Sequence, residues 1–363
     1  MLKFGFVGFG RMGITHLSIL NTHPGVKVAA VCDQSGTMLK LVEKHIGLPT
    51  YTDYRKMLNG TALDCLVIST PTDSHGEVIK AAIDRDLHVF VEKPFTLTAA
   101  EGGEVVTQLG AKRLVNQVGY VNRFNEVFME VKRLLDAGVI GDVKNITSEM
   151  YSATVLRDAK SGWRSKKKLG GGCLYECASH CIDLAIYLAG KPARVAGSIM
   201  QSIYSSEVED LVSSTFVYEN GASGAIMVNW SDEAYRKPAN IVKIFGTGGR
   251  IIADKHAFKV YLKKADEADG LEKGWTTRYI TDFAENVRFY LRGNEFTRQL
   301  DYFVDRVEQG ATENVSSFQE ALKTDMIMEE ITRDAAGSLD TTEGGTLLHK
   351  AAGQKSLWAK IFN

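Results

Sequence analysis

The sequence predicts an α/β protein of two domains, a parallel-sheet domain over residues 1–120 and a second α/β domain with antiparallel hairpins over 121–363. Three observations carry this expectation. A chain of 363 residues is long for one core and comfortable for two. Its first third alternates short apolar strands with helical runs, which demands right-handed crossovers and a parallel sheet covered on both faces. Its later part carries alternating stretches broken by glycine turns, the pattern of antiparallel hairpins.

The first strand is LKFGFV (2–7), followed by GFGRMG and the helical run ITHLSILNTH. The glycines have separate duties. Gly8 permits a tight turn, Gly10 admits close backbone approach to a pyrophosphate, and Gly13 lets helix and strand pack closely. The helix N-terminus behind them presents free N–H groups to phosphate. Phe9, Arg11 and Met12 belong to the same loop and count with the glycines as candidate cofactor contacts. A glycine-rich turn without a ligand has the same spelling, so context decides. The second strand, VKVAAVC, ends at Asp33, twenty residues past Gly13, where a carboxylate accepts from the adenosine ribose hydroxyls. That carboxylate would repel a 2′-phosphate, which favours NAD. Gln34 and Ser35 offer no arginine for NADP, although Lys40 is near enough to leave it open.

DCLVIST (64–70), PTDSHGEVIKAAIDRD and HVFVEKP extend the alternation, and the first domain reads as a Rossmann fold. Ligands in such sheets bind beyond the carboxyl ends of the strands, where Thr70, Pro71, His75, Glu92, Lys93 and Pro94 fall. These are candidates to meet the nicotinamide half of the cofactor. A lysine after a strand is ordinarily solvated, and a histidine between strand and helix ordinarily starts the helix. Both bland readings stand beside the functional ones for Lys93 and His75.

Lys+Arg 43 against Asp+Glu 44 gives a net charge of -1, so no global field points to nucleic acid, an anionic membrane or a polyanionic substrate. No apolar run approaches the roughly 20 residues of a bilayer span, and MLKFGFVGFG is broken by glycine where a signal peptide would stay apolar. A cytoplasmic location is expected. Five cysteines in a chain of this size fit reduced thiols better than a disulfide framework.

Taken together, GFGRMG, Asp33, ISTPTDSH, VEKP, GYVNRF (119–124) and GGGCLYECASHCIDL resemble the glucose-fructose oxidoreductase, inositol dehydrogenase and rhizopine catabolism family (Gfo/Idh/MocA). The match runs in order across roughly the first half of the chain and more loosely to about residue 265. The resemblance implies a NAD(P)-dependent oxidoreductase acting on CH–OH groups, with a Rossmann domain followed by an α/β domain on an open, mainly antiparallel sheet. It implies that Lys93 lies beside nicotinamide and substrate. It also maps the family motif G-G-G-x-L-x-D-x-G-x-H-x-x-D onto Gly170 to Asp183, with His180 on the catalytic histidine. Two departures stand out: Glu176 where the family usually has Asp, and Ala178 where it usually has Gly. Trp163 and Arg164 resemble a Trp–Arg pair that contacts cofactor in several members.

In the second domain, NRFNEVFMEVKRLLDAGVIG reads as an amphipathic helix capped near Gly138, and DVKNITSEMYS as a strand. The irregular stretch ATVLRDAKSGWRSKKKLGGG has the length of a binding loop or lid. Its Lys166, Lys167 and Lys168 read as a solvated run; the rival reading has them, with Arg157, meet the phosphates of a nucleotide-activated sugar. Tyr120, Asn122, Arg123 and Arg157 are the candidate substrate contacts. Two hairpins follow, turning at Glu219-Asn220-Gly221 and Gly246-Thr247-Gly248-Gly249, and helices near 293–310 and 316–334 complete the domain. One sheet face covers the helices and the other would be a large apolar patch in a monomer, so a homodimer or homotetramer through that face is expected.

A helix over 173–186, at about 100° per residue, puts Cys173, Cys177 and Cys181 on one stripe and Glu176, His180 and Asp183 on its neighbour. A stripe of three thiols supplies no tetrahedron, so they read as small hydrophobes and no metal is expected. Glu176 and His180 read either as an i, i+4 surface pair or, with the family motif, as a catalytic pair. The expected chemistry is oxidation, or the reverse, of a secondary alcohol on a sugar, cyclic polyol or nucleotide-activated sugar. His180 would take the hydroxyl proton as hydride leaves for NAD, Lys93 would stabilise the alkoxide or share the proton, and Glu176 would orient the imidazole or hold a hydroxyl. A non-catalytic dinucleotide-binding sensor is the rival, and has no need of Lys93 and His180. A redox-assisted glycosidase is a third reading, but its own site sequence is not found here.

Overall fold

The computed structural model describes residues 1–110, 112–156 and 162–340. Strands β1 (Leu2–Val7), β2 (Val26–Cys32), β3 (Thr50–Tyr51), β4 (Cys65–Ile68), β5 (His88–Val91) and β6 (Asn116–Val118) form one sheet in the order β3-β2-β1-β4-β5-β6, every pair parallel. Helices α1 (Arg11–Leu20), α2 (Gly36–Ile46), α3 (Tyr54–Gly60), α4 (His75–Ile83) and α5 (Ala99–Leu109) make the crossovers. The strands are short apolar runs, and β4 is buried throughout, as a strand covered on both faces must be. Local signals end the helices: Ser35 accepts from the Met38 N–H at the start of α2, and Gly47 closes it at φ 73°. Strand order reverses between β1 and β4, so the loops after these strands diverge and open a crevice at the carboxyl edge.

Helix α6 (Glu126–Asp136), capped by the Asn125 side chain on the Val127 and Phe128 N–H groups, leads to a second sheet. It is built from β7 (Val143–Tyr151), β8 (Arg194–Gln201), β9 (Leu211–Val217), β10 (Ser223–Asn229), β11 (Ala239–Gly246), β12 (Gly249–Ala253), β13 (Ala257–Leu262) and β14 (Gly274–Tyr279). Its order is β14-β13-β12-β11-β7-β10-β9-β8; β7 and β10 run parallel and the other pairs antiparallel. Both expected hairpins form, β9–β10 and β11–β12. The period-two pattern buries Val212, Ser214 and Phe216 on β9 and Val242 and Ile244 on β11, against the helices. The opposite face leaves Met227, Phe245, Tyr261 and Trp275 exposed.

Two expectations change. The helix predicted from residue 173 is not uniform: a wide turn, Leu174–Ala178, in which the Ser179 N–H reaches back to the Leu174 carbonyl, precedes α7 (Ser179–Ala189). Glu209 holds its start from outside, taking the Leu174 N–H on its carboxylate and the Cys173 N–H on its carbonyl. The last two helices are α8 (Asn294–Glu308) and α9 (Phe318–Asp340), and α8 does not belong with the second sheet. Its Leu300, Phe303 and Val304 join the cluster of Phe4, Phe6 and Phe90, with Phe303 edge-on to Phe4 and Phe90. Burying each such ring contributes about 1.5–3 kcal/mol, which returns the chain to the parallel sheet. No helix among the described residues is long and apolar enough to cross a membrane.

Candidate active site

The glycine-rich turn shows which glycines serve packing and which serve space. Gly8 sits at φ 88°, and a Cβ there would lie 2.6 Å from the Ser69 carbonyl carbon; at Gly13 it would lie 2.2 Å from the Gly8 oxygen. At Gly10 it would meet nothing within 4 Å, so the space before the N-terminus of α1 is open. Asp33 closes the end of β2 onto this turn, accepting from the Phe9 N–H at 2.6 Å and the Ser35 N–H at 2.7 Å. An open glycine cradle, free N–H groups and a carboxylate one strand away fit a dinucleotide. Phe9 itself is buried in the core, so only its backbone faces the crevice. Arg11 is exposed and Met12 half-buried.

Past β4 and β5, Thr70 is half-buried and Pro71 exposed at the crevice rim. Two neighbouring candidates are occupied elsewhere. His75 begins α4 and is 1 % exposed, with Nδ1 at 3.0 Å from the Pro94 oxygen and Nε2 at 3.0 Å from the Thr70 oxygen. It ties the two rim loops together and has no ring nitrogen left for a cofactor. Glu92 is also withdrawn: its Oε1 lies 2.6 Å from Nε2 of the fully buried His16, and Oε2 accepts the Lys93 N–H at 3.2 Å. His16 comes from α1, one turn beyond Gly13, a partner that no spacing in the sequence announces.

Lys93, by contrast, points across to the second half of the chain. Its ammonium donates to the Glu176 carbonyl at 2.9 Å and to Glu176 Oε2 at 3.2 Å. Glu176 Oε1 accepts from Arg164 Nε and Nη2 at 3.2 and 3.0 Å, while the Arg164 guanidinium lies 4.7 Å from the centre of the Trp163 ring. Burial would raise the Glu176 pKa, but Lys93 and Arg164 together outweigh it and hold the carboxyl below its usual range. His180 stands one turn on, edge-on to the Tyr120 ring at 6.4 Å, with Nδ1 buried and without a partner among the described residues. Burial first, then the charges of Lys93 and Lys255, push its pKa well below the ordinary 6.5. A neutral imidazole thus lies within the field of an ammonium whose counter-ion is a carboxylate.

Lys255 was not among the residues singled out from sequence. It lies in the turn between β12 and β13 with Nζ 3.6 Å from Glu295 at the start of α8, and Asn125 donates to its carbonyl at 3.2 Å. Asn122 is 1 % exposed with both amide atoms unpartnered among the described residues, consistent with a polar group facing a ligand. Tyr120 is 1 % exposed and packs on His180, so it braces the imidazole and presents little to a substrate.

Arg123 is corrected outright as a substrate contact. Its Nε and Nη2 donate to Asp183 at 2.8–3.1 Å, Nη1 donates to the Val315 carbonyl, and the guanidinium lies 5.4 Å from the Tyr187 ring centre. Asp183 therefore turns from the stripe of Glu176 and His180 toward the core. Arg157 lies outside the described residues. Lys166, Lys167 and Lys168 are exposed. The triple glycine serves close packing: a Cβ on Gly171 would lie 2.3 Å from the Arg164 oxygen, and one on Gly170 2.8 Å from the Thr72 Cβ. These glycines let the Trp163–Leu169 loop close on the helix start and on the Rossmann rim, rather than clearing room for a ligand. The three cysteines are buried, and burial pushes the Cys181 thiol up to about 12, so it stays protonated and apolar in character.

Residues 2–120 match the model of an oxidoreductase family described as an NAD-binding Rossmann fold, and residues 128–252 match the GFO/IDH/MocA C-terminal domain. The chain is 26 % identical over 334 residues to a scyllo-inositol 2-dehydrogenase (NAD(+)) of Bacillus subtilis (strain 168), covering 90 % of this chain and 92 % of that one. It is 32 % identical over 192 residues to an inositol 2-dehydrogenase of Salmonella typhimurium, about half of each chain (52 % and 54 %). In fold it is similar to a levoglucosan dehydrogenase solved with NADH and levoglucosan, at TM-score 0.83 and 20 % identity, covering 93 % of this chain and 97 % of the other. Lys93 of the first matched region donates to Glu176 of the second, and the chain belongs to the GFO/IDH/MocA family of NAD-binding oxidoreductases.

Proposed function

We propose that the protein is a NAD-dependent dehydrogenase acting on a secondary alcohol of a cyclic polyol or sugar, with Lys93 and His180 as catalytic residues and Glu176 as the group that fixes Lys93. The observation that carries the reading is the bridge from Lys93, in the first half of the chain, to Glu176 in the second, one turn before His180, whose protonation the Lys93 charge opposes. Gly8 to Gly13 and Asp33 would hold the diphosphate and ribose, with Thr70 and Pro71 at the nicotinamide end and the Trp163–Arg164 pair alongside. Bound NAD supplies the hydride acceptor. The rest is the work of the chain's own side chains.

His180 is neutral because burial and two nearby cations oppose its protonation, so it is ready to take a hydroxyl proton. Nδ1 is buried, so Nε2 would be the nitrogen that exchanges the proton with a substrate. Lys93 carries the positive charge that favours oxygen in its alkoxide form, and Glu176 keeps that ammonium in place while Arg164 holds the other carboxylate oxygen. Asn122 supplies an amide for a further hydroxyl. The names of the inositol dehydrogenase relatives favour a cyclic polyol as the first substrate class to try. Nucleotide-activated sugars come second, because their case rested on a lysine run that is simply exposed. The proposal includes a homodimer or homotetramer through the sheet face bearing Met227, Phe245, Tyr261 and Trp275.

A dinucleotide-binding sensor would not need a neutral histidine beside a fixed lysine. The test is NADH fluorescence with scyllo- and myo-inositol, free sugars and a nucleotide sugar, using Lys93→Ala and His180→Ala as controls. The expected result is turnover by the native chain that falls about 10²–10⁴-fold in each variant. Background turnover of every compound by all three proteins would sink the dehydrogenase reading and favour the sensor.

A further inference from the structure

Helix α9 runs along both cores and meets the loop that follows Lys93. Phe318 and Ala321, in its first turn, join the cluster of Val91, Phe95 and Val118, with the Phe318 ring stacked on Phe95 at 4.7 Å. Further along, Ile327, Met328 and Ile331 join Cys181, Ile182 and Ala185 of α7. Asp325 lies between these two sets and is 2 % exposed. Its Oδ2 accepts from the Thr96 N–H and hydroxyl, each at 2.9 Å, and one turn on Glu329 Oε1 accepts from the Ala99 N–H at 2.7 Å. From the other side the Tyr175 hydroxyl donates to the Leu97 carbonyl at 3.1 Å.

The backbone of segment 94–99 is thus held at Thr96 and Ala99 by α9 and at Leu97 by the turn before α7. Tyr175 immediately precedes Glu176, so the loop after Lys93 and the turn that carries its counter-ion are tied to each other. A lysine reaches its partner on a flexible four-carbon stem, and its ammonium is only as well placed as the backbone that carries it. Burial raises the Asp325 carboxyl well above its ordinary range, its hydrogen bonds to Thr96 offset this only in part, and Glu329 adds to it. A carboxyl kept neutral offers hydrogen bonds and no field, so what it contributes is the position of Thr96.

We propose that Asp325 is a positioning residue for the reaction: through Thr96 it fixes the loop after Lys93 and so sets the ammonium against Glu176. Asp325 lies beyond residue 252, where the matched C-terminal region ends, so the family match does not assign it. The inference rests on the proposed role of Lys93 and is independent of the alcohol that is oxidised.

The test compares the full chain with Asp325→Ala and Asp325→Asn in polyol turnover with NAD and in the titration of the His180 imidazole by NMR, its resonance identified by its loss in His180→Gln. Asp325→Ala should lower kcat per folded chain by about tenfold or more, the size of a displaced catalytic group, and leave KM for NAD within about twofold. Its His180 should titrate at higher pH than in the native chain, since the Lys93 charge that opposes protonation has moved away. Asp325→Asn keeps an oxygen acceptor for Thr96 and should recover kcat to within about threefold. Should Asp325→Ala lose its fold, as read from its thermal midpoint, Thr96→Val carries the same measurements, because it removes the hydroxyl contact alone. Native kcat or a native His180 titration in the folded variant would overturn the inference, and so would an Asp325→Asn chain as slow as Asp325→Ala. A native chain that oxidises no polyol would defeat the proposed function, and the His180 titration would still decide this inference.

Discussion

Glu176 and Asp183 stand seven residues apart on one stretch of chain, and both accept from an arginine, yet the fold gives them different work. Asp183 and Arg123 are 1 % and 2 % exposed, and every nitrogen of the guanidinium is spent on Asp183 or on the Val315 carbonyl. Glu176, at 21 %, shares its two oxygens between Lys93 at 12 % and Arg164 at 40 %. A sealed pair holds helix α7 to the segment at Tyr120–Phe124 and has nothing left to bind with. A pair at the mouth of a crevice can exchange partners when a ligand arrives. Accessibility separates the sealed carboxylate from the one proposed to act at the site, and residue type does not.

The sharpest way to break this contrast is Asp183→Ala. It leaves a buried guanidinium without a counter-charge and should lower stability by about 3–5 kcal/mol, read from denaturant or thermal unfolding. An unchanged midpoint would mean that the pair is not what holds α7 in place. Glu176→Gln should do the reverse, keeping the midpoint close to native while kcat/KM falls by roughly 10- to 100-fold through the lost charge on Lys93. A large drop in midpoint with little loss of rate would make Glu176 a second structural anchor. Glu176→Asp should act more mildly, within about tenfold, because a carboxylate one methylene shorter keeps one of Lys93 and Arg164 but not both.

The smallest effect is in pH. The folded pKa of His180 lies well below 6.5, so kcat/KM for alcohol oxidation should show no loss of base as pH falls through 6.5. Lys93→Met removes one of the cations that depress it and should bring that limb upward. Linkage runs the same way: between its folded pKa and 6.5 the unfolded histidine binds the proton and the folded one does not. His180 thus leaves stability unchanged above about pH 6.5 and costs stability as pH falls below it. A rate limb centred at 6.5 in the native chain would show that the imidazole is not shielded.

Legibility in the sequence followed the range of the interaction. Gly8, Gly10, Gly13 and Asp33 were readable because a turn, a helix start and a strand end lie within one short unit, and the geometry there agrees with the spacing. Asp183 was misplaced because helical periodicity put it on the stripe of His180, whereas the wide turn at Leu174–Ala178 and the pull of Arg123 direct it inward. His75, Glu92 and Arg123 carry the residue types of a ligand site, but each found a partner within the protein. Lys255 gave no signal at all, being a single cation in a turn far along the chain from Glu295, which it approaches, and from His180, whose protonation it opposes.

By itself the sequence determined the alternation that builds the parallel sheet, the glycine turn that opens its crevice, and the presence of a lysine and a histidine able to move a proton. Those features depend on backbone sterics and side-chain periodicity, which act within a few residues. Only the tertiary structure decided which charged groups face the crevice and which are sealed in the core. Desolvation and pairing are set by whatever the fold packs against each group, and for Lys93 and Arg123 the deciding neighbours come from distant parts of the chain.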